Sequence, residues 1–352
     1  MRFGNFLFSE SRDPLQDGRV IDEVLEEVRL SDSLGMDAVW LAEHHFDGSC
    51  AYVDPISFAA AIATSTKRIG IGFAVAQMSL HHPIRMAEQL SLIDHLSKGR
   101  LLVGLGRGTA FNVYEYHGYG IDPAEVQARF EEAETILFKA WSGEGFEHHG
   151  RFWDLKVPML RPRPYTRPHP YVINAASGEA TMVELARQGR PFLMNLQSNE
   201  VTAHRLDLYR RTMREAGFGE PEIARNLAEC WIWRNVFVAD TDAEAERIGI
   251  PALEAMQDHR AAMRERMRRE QGLAMPPGHG PAVPAGRTGP RHALIHGSPA
   301  TVAAQFAEID ALGVGGVIMS FRLGLMSQEQ TIRSLTLFAE QVAPLFRARQ
   351  AA

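Results

Sequence analysis

The chain has 352 residues, of which 45% are hydrophobic and 23% are charged, and its formal net charge is −6. Acidic and basic residues are interspersed, which argues against nucleic acid or an anionic membrane surface as the main partner. No segment approaches the length of a membrane span, and the N-terminus lacks the apolar region and cleavage site of a signal peptide. Its two cysteines, Cys50 and Cys230, stand far apart without metal-ligand spacing. We therefore expect a reduced, cytoplasmic protein.

Eight short apolar runs alternate with longer segments of helical periodicity. An apolar run without polar alternation predicts a strand buried on both faces, and apolar residues three and four apart predict a helix. The predicted strands cover residues 2–8, 38–42, 69–76, 101–106, 171–176, 192–196, 229–238 and 316–321. The predicted helices cover residues 20–34, 55–66, 83–96, 123–141, 177–188, 200–216, 243–272, 300–312 and 329–345.

This alternation predicts one α/β domain over residues 1–352, a single (β/α)8 TIM-type barrel. A doubly wound open sheet is the alternative, but no G-x-G-x-x-G motif follows the first strand. Residues 143–154 predict an inserted hairpin, and residues 158–170 carry five prolines and predict an extended surface connection. The segment at about residues 273–292 is rich in Pro and Gly and lacks periodicity, which is typical of a mobile lid loop.

The second strand ends abruptly in Glu43, His44 and His45. In parallel α/β folds, sites are built at the C-terminal ends of the strands. Successive strand residues point to opposite faces, and no spacing elsewhere completes a zinc site, so we predict no metal. An imidazole that titrates near neutrality suits general acid–base catalysis. The alternative is that both histidines only form hydrogen bonds at a strand end.

Two further strand ends carry features that favour an anion. Glycines in Gly104-Leu105-Gly106-Arg107-Gly108 allow close backbone approach, and the arginine can bind a phosphate with two hydrogen bonds. Ser177-Gly178-x-x-Thr181 begins a predicted helix, whose first N–H groups and hydroxyls suit a phosphate. Arg129, in the helix over 123–141, is a third candidate contact, although a solvated surface arginine is the simpler interpretation of its position.

In their order along the chain, these features resemble the flavin-dependent luciferase-like monooxygenases, and most closely the alpha subunits of the bacterial luciferases. The resemblance covers essentially the whole chain. The matching segments are Phe3-Gly4-Asn5-Phe6, Val39-Trp40-Leu41-x-Glu43-His44-His45-Phe46, His82-Pro83-Ile84-Arg85-x-Ala87-Glu88, Ser97-Lys98-Gly99-Arg100, Arg107-Gly108, the Ser177 segment and Asp310-Ala311-x-Gly313. The fold of this family is a (β/α) barrel, in agreement with the strand count.

The resemblance implies that reduced FMN binds at the C-terminal mouth of the barrel. The positions that match its flavin site are Ala74, Val75, Arg107, Arg129, Ala176, Ser177, Gly178 and Thr181. Within this set, Ala74 and Val75 match a non-proline cis peptide bond against the flavin ring. His44 matches the residue of the acid–base steps, with His45 and Glu43 beside it. The implied substrate pocket is lined by Phe6, Phe73, Gln77, His82, Phe111 and Tyr114.

Two departures from the luciferases bear on the reaction. Gly106 stands where the luciferases have a reactive cysteine, and Val113 stands where they have an aspartate. Glu115, two residues later, is a candidate replacement for that aspartate. Efficient light emission is therefore not expected, whereas oxygen activation does not depend on these positions.

The resulting hypothesis is a two-component monooxygenase that takes FMNH2 from a separate flavin reductase and forms a flavin C4a-peroxide with O2. This oxidant would oxygenate a small lipophilic, aldehyde- or ketone-like molecule. The alternatives are a deazaflavin-dependent oxidoreductase of the same superfamily, a non-catalytic flavin-binding partner subunit and, more distantly, a metal-dependent barrel hydrolase. The family also implies a homodimer through the helices after the second and third strands, with a heterodimer as the alternative.

Overall fold

The structure, a computed structural model, describes residues 1–109, 112–273 and 294–347. The strands of these residues are β1 (Arg2–Leu7), β2 (Ala38–Leu41), β3 (Gly70–Phe73), β4 (Ala76–Gln77), β5 (Leu101–Gly106), β6 (Phe146–His149), β7 (Asp154–Val157), β8 (Tyr171–Ala176), β9 (Phe192–Met194), β10 (Trp231–Val238), β11 (Leu294–Gly297) and β12 (Gly316–Ser320). Their α-helices are α1 (Asp17–Ser33), α2 (Pro55–Ser65), α3 (Pro83–Ser97), α4 (Val113–Gly118), α5 (Val126–Trp141), α6 (Glu179–Arg187), α7 (Asn199–Glu215), α8 (Glu220–Glu229), α9 (Asp242–Glu270), α10 (Pro299–Asp310), α11 (Gln328–Leu337) and α12 (Pro344–Arg347).

Eight parallel strands close into a barrel in the order β1, β2, β3, β5, β8, β9, β10 and β12. Strand β12 pairs with β1, where Phe3 lies opposite Val317. Strand β10 pairs with β9, where Trp231 lies opposite Leu193. The predicted (β/α)8 barrel is confirmed, and the open-sheet alternative is wrong, because each of these eight strands has a partner on both sides.

Two tryptophans fill the interior of the barrel. Trp40 and Trp231 are fully buried, and their rings meet edge to face with centroids 5.0 Å apart. A Cβ atom at Gly4 would lie 2.5 Å from the Trp40 ring, and one at Gly72 would lie 2.4 Å from it. The indole rings therefore occupy space that only glycine leaves free on the neighbouring strands.

Four elements differ from the sequence prediction. The third predicted strand, residues 69–76, is interrupted after Phe73 by a cis peptide bond between Ala74 and Val75. Strand β11 was not predicted; it pairs with the second half of β10, where Gly297 lies opposite Val238. Helices α8 and α4 were also missed.

The outer parts of the fold agree with the predicted insertions as far as they are described. Strands β6 and β7 form the predicted inserted hairpin, with Phe146 opposite Val157. Asp54 caps α2 by accepting hydrogen bonds from the backbone N–H groups of Ile56 and Ser57. The predicted lid, apart from its first residue, lies outside the described residues. Within the described ranges, no helix is both long and apolar enough to cross a membrane.

Candidate active site

The C-terminal end of β2 brings Glu43, His44 and His45 to the mouth of the barrel. Glu43 and His45 are 3% and 7% exposed, whereas His44 is half-buried. The aromatic ring of Phe8, just beyond β1, lies 5.6 Å from the His44 ring. Of these three residues, His44 is therefore the one whose side chain is most accessible to reactants.

The Glu43 carboxylate is the centre of one buried hydrogen-bond network. Its Oε1 atom lies 3.0 Å from His45 Nε2 and 2.6 Å from His81 Nε2, and its Oε2 accepts the Gln77 backbone N–H at 2.6 Å. Tyr119 Oη completes this network, 3.1 Å from His45 Nδ1. The network fixes the backbone turn that carries the histidines.

Burial alone would raise the pKa of Glu43. Hydrogen bonds from His45 and His81, the charge of His81 and the Gln77 N–H outweigh burial and lower the pKa to about 2. For His81, burial lowers the pKa, but the hydrogen bond and charge of Glu43 raise it further, so its pKa lies above the usual value. The pair is therefore held as carboxylate and imidazolium under mildly acidic conditions.

Glu115 is the centre of a second network, and it positions His44. Its fully buried side chain places Oε1 3.1 Å from His44 Nδ1, and the same oxygen accepts the His45 backbone N–H at 3.0 Å. Asn112 Nδ2 lies 3.0 Å from His44 Nδ1 and 3.4 Å from Glu115 Oε1. The Glu115 carboxylate can only accept a hydrogen bond from Nδ1–H, whereas the Asn112 NH2 group can only donate one to Nδ1, so the two contacts favour opposite tautomers. In the tautomer that donates to Glu115, Nε2 is the basic nitrogen.

Gln77 connects the two networks. Its Nε2 atom donates to the Glu43 backbone oxygen at 2.9 Å and to Glu115 Oε2 at 3.0 Å. At 2% exposure, this side chain is a buried bridge between the two acidic residues. Gln77 is also predicted to line the substrate pocket, and the structure shows it in this bridging position.

The basic residues predicted at the phosphate lie next to one another. Ser79 Oγ donates to the Arg107 backbone oxygen at 2.7 Å, and the Ser79 oxygen accepts from Arg129 Nε at 3.4 Å. The Arg107 side chain is exposed. The Arg129 guanidinium lies 5.1 Å and 4.8 Å from the ring centroids of Phe152 and Trp153, so the inserted hairpin holds it in place.

The start of α6 supplies a second group of donors. Gly178 is the N-cap residue and carries no capping side chain, and a Cβ atom there would meet nothing within 4 Å. The first N–H groups of the helix are thus not occupied by a cap. Ser177 and Thr181 are exposed beside them, and Ala176 ends β8 as a buried residue.

These residues fit a flavin phosphate. Two guanidinium groups, two hydroxyls and an uncapped helix N-terminus form a donor set for a phosphate dianion. A Cβ atom at Gly106 would lie 2.5 Å from Val75 Cγ2. The end of β5 and the segment after β3 therefore approach each other more closely than a larger residue at position 106 would allow. The cis peptide expected at Ala74 and Val75 is present.

The residues predicted to line the substrate pocket differ in their burial and orientation. Phe6 and Trp233 lie with ring centroids 5.0 Å apart, and Tyr114 is fully buried on α4. Phe73 is fully buried and alternates with Gly72, which faces Trp40, so Phe73 points away from the barrel interior into the core. Phe111 lies outside the described residues.

His82, also predicted to line the substrate pocket, differs from its neighbour His81 in its surroundings. It is exposed at the start of α3, whereas its neighbour His81 contacts Glu43. The sequence reasoning missed His81, although two consecutive histidines before Pro83 were a signal that either could be the partner. Asn112 was also missed, and Glu115 was considered only as a replacement for an aspartate.

No group of three or more His, Cys, Asp or Glu residues suited to a metal ion occurs in the described part of the chain.

Comparison with known proteins identifies the family. The profile of the luciferase-like monooxygenases matches residues 1–316. The chain belongs to this family. Its relatives include the oxygenase component of the flavin-dependent trigonelline monooxygenase of Acinetobacter baylyi, 30% identical over 50% of this chain and 49% of that protein. The alkanal monooxygenase alpha chain of Photorhabdus luminescens is 30% identical over 62% of this chain and 60% of its own length. This chain thus spans about half to three fifths of these family members.

Solved structures of similar fold carry different cofactors. Monooxygenase RslO1 from Streptomyces bottropensis has a TM-score of 0.80 and 26% identity, over 98% of this chain and 100% of its own. The oxygenating constituent of 3,6-diketocamphane monooxygenase from Pseudomonas putida, solved with FMN, has a TM-score of 0.77 at 21% identity over 98% of each chain. An F420-dependent secondary alcohol dehydrogenase has a TM-score of 0.72 at 15% identity, over 98% of this chain and 99% of its own. At these identities, the last two share the fold alone.

Proposed function

We propose that this protein is the oxygenase component of a two-component monooxygenase, which uses FMNH2 from a separate reductase and O2 to oxygenate a small lipophilic, aldehyde- or ketone-like molecule. The observation that carries the proposal is the half-buried His44 imidazole at the barrel mouth, fixed through Nδ1 by buried Glu115. The trigonelline relative is named as an oxygenase component, which supports a separate reductase. The FMN-bound neighbour supports FMN as the flavin.

The residues around the phosphate donors would hold the flavin. Arg107, Arg129 and the start of α6 with Ser177 and Thr181 would bind its phosphate, and Ala74, Val75 and Ala176 would line the ring. When bound, reduced FMN supplies the electrons that activate O2.

His44 would move protons at the reacting oxygen of the substrate. Its Nε2 atom is the basic nitrogen when Nδ1–H is bound to Glu115, so it can take a proton from a hydroxyl and later return it. Glu43, His45 and His81 would act by holding the turn that carries His44. A positioned imidazole of this kind contributes about 10²–10⁴-fold to rate.

The oligomeric state and the location remain predictions. Helix α3 exposes Leu92 (52%) and Leu96 (37%), which supports the expected homodimer through α2 and α3 because large exposed apolar side chains favour association. A heterodimer would use the same surface. The free, buried thiols of Cys50 and Cys230 agree with the expected cytoplasmic location.

The test is to titrate the purified chain with photoreduced FMN, and separately with reduced F420, without oxygen. We expect saturable binding of FMNH2, followed by consumption of O2 and transfer of one ¹⁸O atom from ¹⁸O2 to a carbonyl substrate. Tight binding of only the deazaflavin would favour the dehydrogenase alternative. Flavin binding without turnover of any carbonyl compound would favour a non-catalytic partner subunit.

A further inference from the structure

Helix α9 contacts loops at the mouth of the barrel, near the proposed catalytic histidine. At one point, the Arg260 guanidinium lies 4.1 Å from the centroid of Phe8, which follows β1. Further along, Gln271 Nε2 donates to the Tyr114 backbone oxygen at 3.0 Å, on α4 beyond β5. Next to Arg260, His259 Nε2 lies 3.2 Å from Ser49 Oγ, so α9 also contacts the loop that follows β2 and His44.

The face of α9 in this region is cationic. Arg260, Arg264 and Arg268 are spaced by four residues, which places them on one side of the helix. Arg268 is 6% exposed, and its Nε and Nη2 atoms are buried without a hydrogen bond to any described residue. The buried Nε of Arg260 likewise makes no hydrogen bond within the described ranges. Arg264 lies next to the buried Tyr114 hydroxyl, and a hydrogen bond and the charge of this guanidinium both act on it.

The acidic residues near this face are Glu10, Asp47 and Glu265. Glu265 Oε2 lies 3.8 Å from Arg268 Nη1, and the charges of Glu10 and Asp47 both act on Arg260. Glu10 Oε2 lies 3.5 Å from Arg260 Nε, but its other oxygen lies 3.3 Å from Arg12, so one carboxylate serves two guanidinium groups. Burial lowers the pKa of Arg260, more than the charge of Glu10 raises it. A buried donor without a partner destabilises a protein, and a ligand oxygen that accepts from it removes this cost.

The substrate of the proposed reaction would therefore carry a charge. Resting on the proposed function, we propose that the substrate is a carboxylate-bearing lipophilic molecule, whose carboxylate binds Arg260 and Arg264 while its reacting end lies at His44. The two ends are close, since Phe8 contacts Arg260 on one side and His44 on the other. The rings of Phe6, Phe8 and Trp233 would contact the apolar body between them, and a guanidinium pairs with a carboxylate through two parallel hydrogen bonds.

The test uses 4-phenylbutyrate and 4-phenylbutan-1-ol, which share a carbon skeleton and differ in the carboxylate. Calorimetric titration of the full chain should show at least tenfold tighter binding of the carboxylate. Arg260→Met and Arg264→Met should each remove most of this preference, and Arg260→Lys should keep part of it. The matched control is Arg266→Met, because Arg266 is 56% exposed on the same helix, 2.7 Å from Glu270, and should leave both affinities unchanged.

Equal binding of the two probes by the wild-type chain would overturn the proposal, as would an equal loss of preference in Arg266→Met. Melting curves establish that each variant is folded. If Arg260→Met unfolds because Glu10 loses its ion-pair partner, Arg264→Met alone tests the carboxylate preference. Titration with FMNH2 separates the two proposals. If FMNH2 binds and the carboxylate preference is absent, only the substrate assignment fails; if FMNH2 does not bind, the proposed function fails.

Discussion

Replacing Glu43 by glutamine tests how the site beneath the histidines is held together. The carboxylate lies beneath the barrel mouth with a pKa of about 2, against an ordinary value of 4.5. At about 1.4 kcal/mol per unit of pKa, this difference corresponds to about 3 kcal/mol of unfolding free energy. Glutamine has the same shape as glutamate. Its NH2 group, however, would face one of the three N–H donors around residue 43 and cannot accept a hydrogen bond from it.

The directions of two pKa shifts predict how the loss of stability in Glu43→Gln depends on pH. The pKa of Glu43 is lowered on folding, so its stabilisation is present above about pH 4.5 and is lost as the pH falls toward 2. The pKa of His81 is raised, so its contribution is complete below about pH 6.5 and is lost as the pH rises through its folded-state value. The difference between the wild-type protein and Glu43→Gln should therefore be largest between about pH 4.5 and 6.5.

The assay is urea unfolding followed by tryptophan fluorescence, at half-unit steps between pH 3.5 and 8. We expect a difference of about 3 kcal/mol at pH 5.5, which shrinks by about 1.4 kcal/mol per unit below pH 4.5. Glu147→Gln on the hairpin is the control; that side chain is 52% exposed, and a change of at most about 0.5 kcal/mol is expected. A difference for Glu43→Gln that stays constant from pH 5.5 to 3.5 would refute the reasoning.

Four further substitutions address the chemistry, the cofactor and the barrel. His44→Ala should keep FMNH2 affinity and lower turnover about 10²–10⁴-fold, as single-turnover product analysis would measure; unchanged turnover would make the residue structural. Arg107→Met and Arg129→Met should each weaken FMN binding at least tenfold but leave riboflavin affinity unchanged, because riboflavin lacks the phosphate; equal losses for both flavins would exclude a phosphate contact. Gly72→Ala should lower unfolding free energy by about 1–3 kcal/mol, because its Cβ atom would lie 2.4 Å from Trp40, and an unchanged urea midpoint would contradict this packing.

The barrel strands were predictable because burial on both faces leaves a direct signal in the sequence. Runs such as Ala38–Leu41 contain no polar residue, so neither a surface strand nor an amphipathic helix accounts for them. Strand β11 has only four residues and pairs with β10 outside the closed ring, a contact that no local pattern encodes. Helix α8 did carry a signal, with Pro221 in its first turn and Ile223 and Leu227 four residues apart.

The site was predictable in its location more than in its contacts. The polar end of β2 was visible in sequence, because charge directly after a buried strand is unusual. Whether His81 or His82 turns toward Glu43 depends on the backbone path before α3, which the two adjacent histidines leave open. The bridging role of Gln77 was equally hidden, since its partners Glu43 and Glu115 are 34 and 38 residues away in the chain.

The tryptophan pair inside the barrel also governs how molecules reach the site. Trp40 and Trp231 fill the interior below the histidines, with Phe6 opposite Trp40 on the neighbouring strand, at 0% and 1% exposure for the two tryptophans. A flavin and an organic substrate that meet at His44 must then use the same opening, at the C-terminal ends of the strands. The molecule that binds deeper has to arrive first and depart last. An ordered kinetic scheme would thus follow from the shape of the barrel alone.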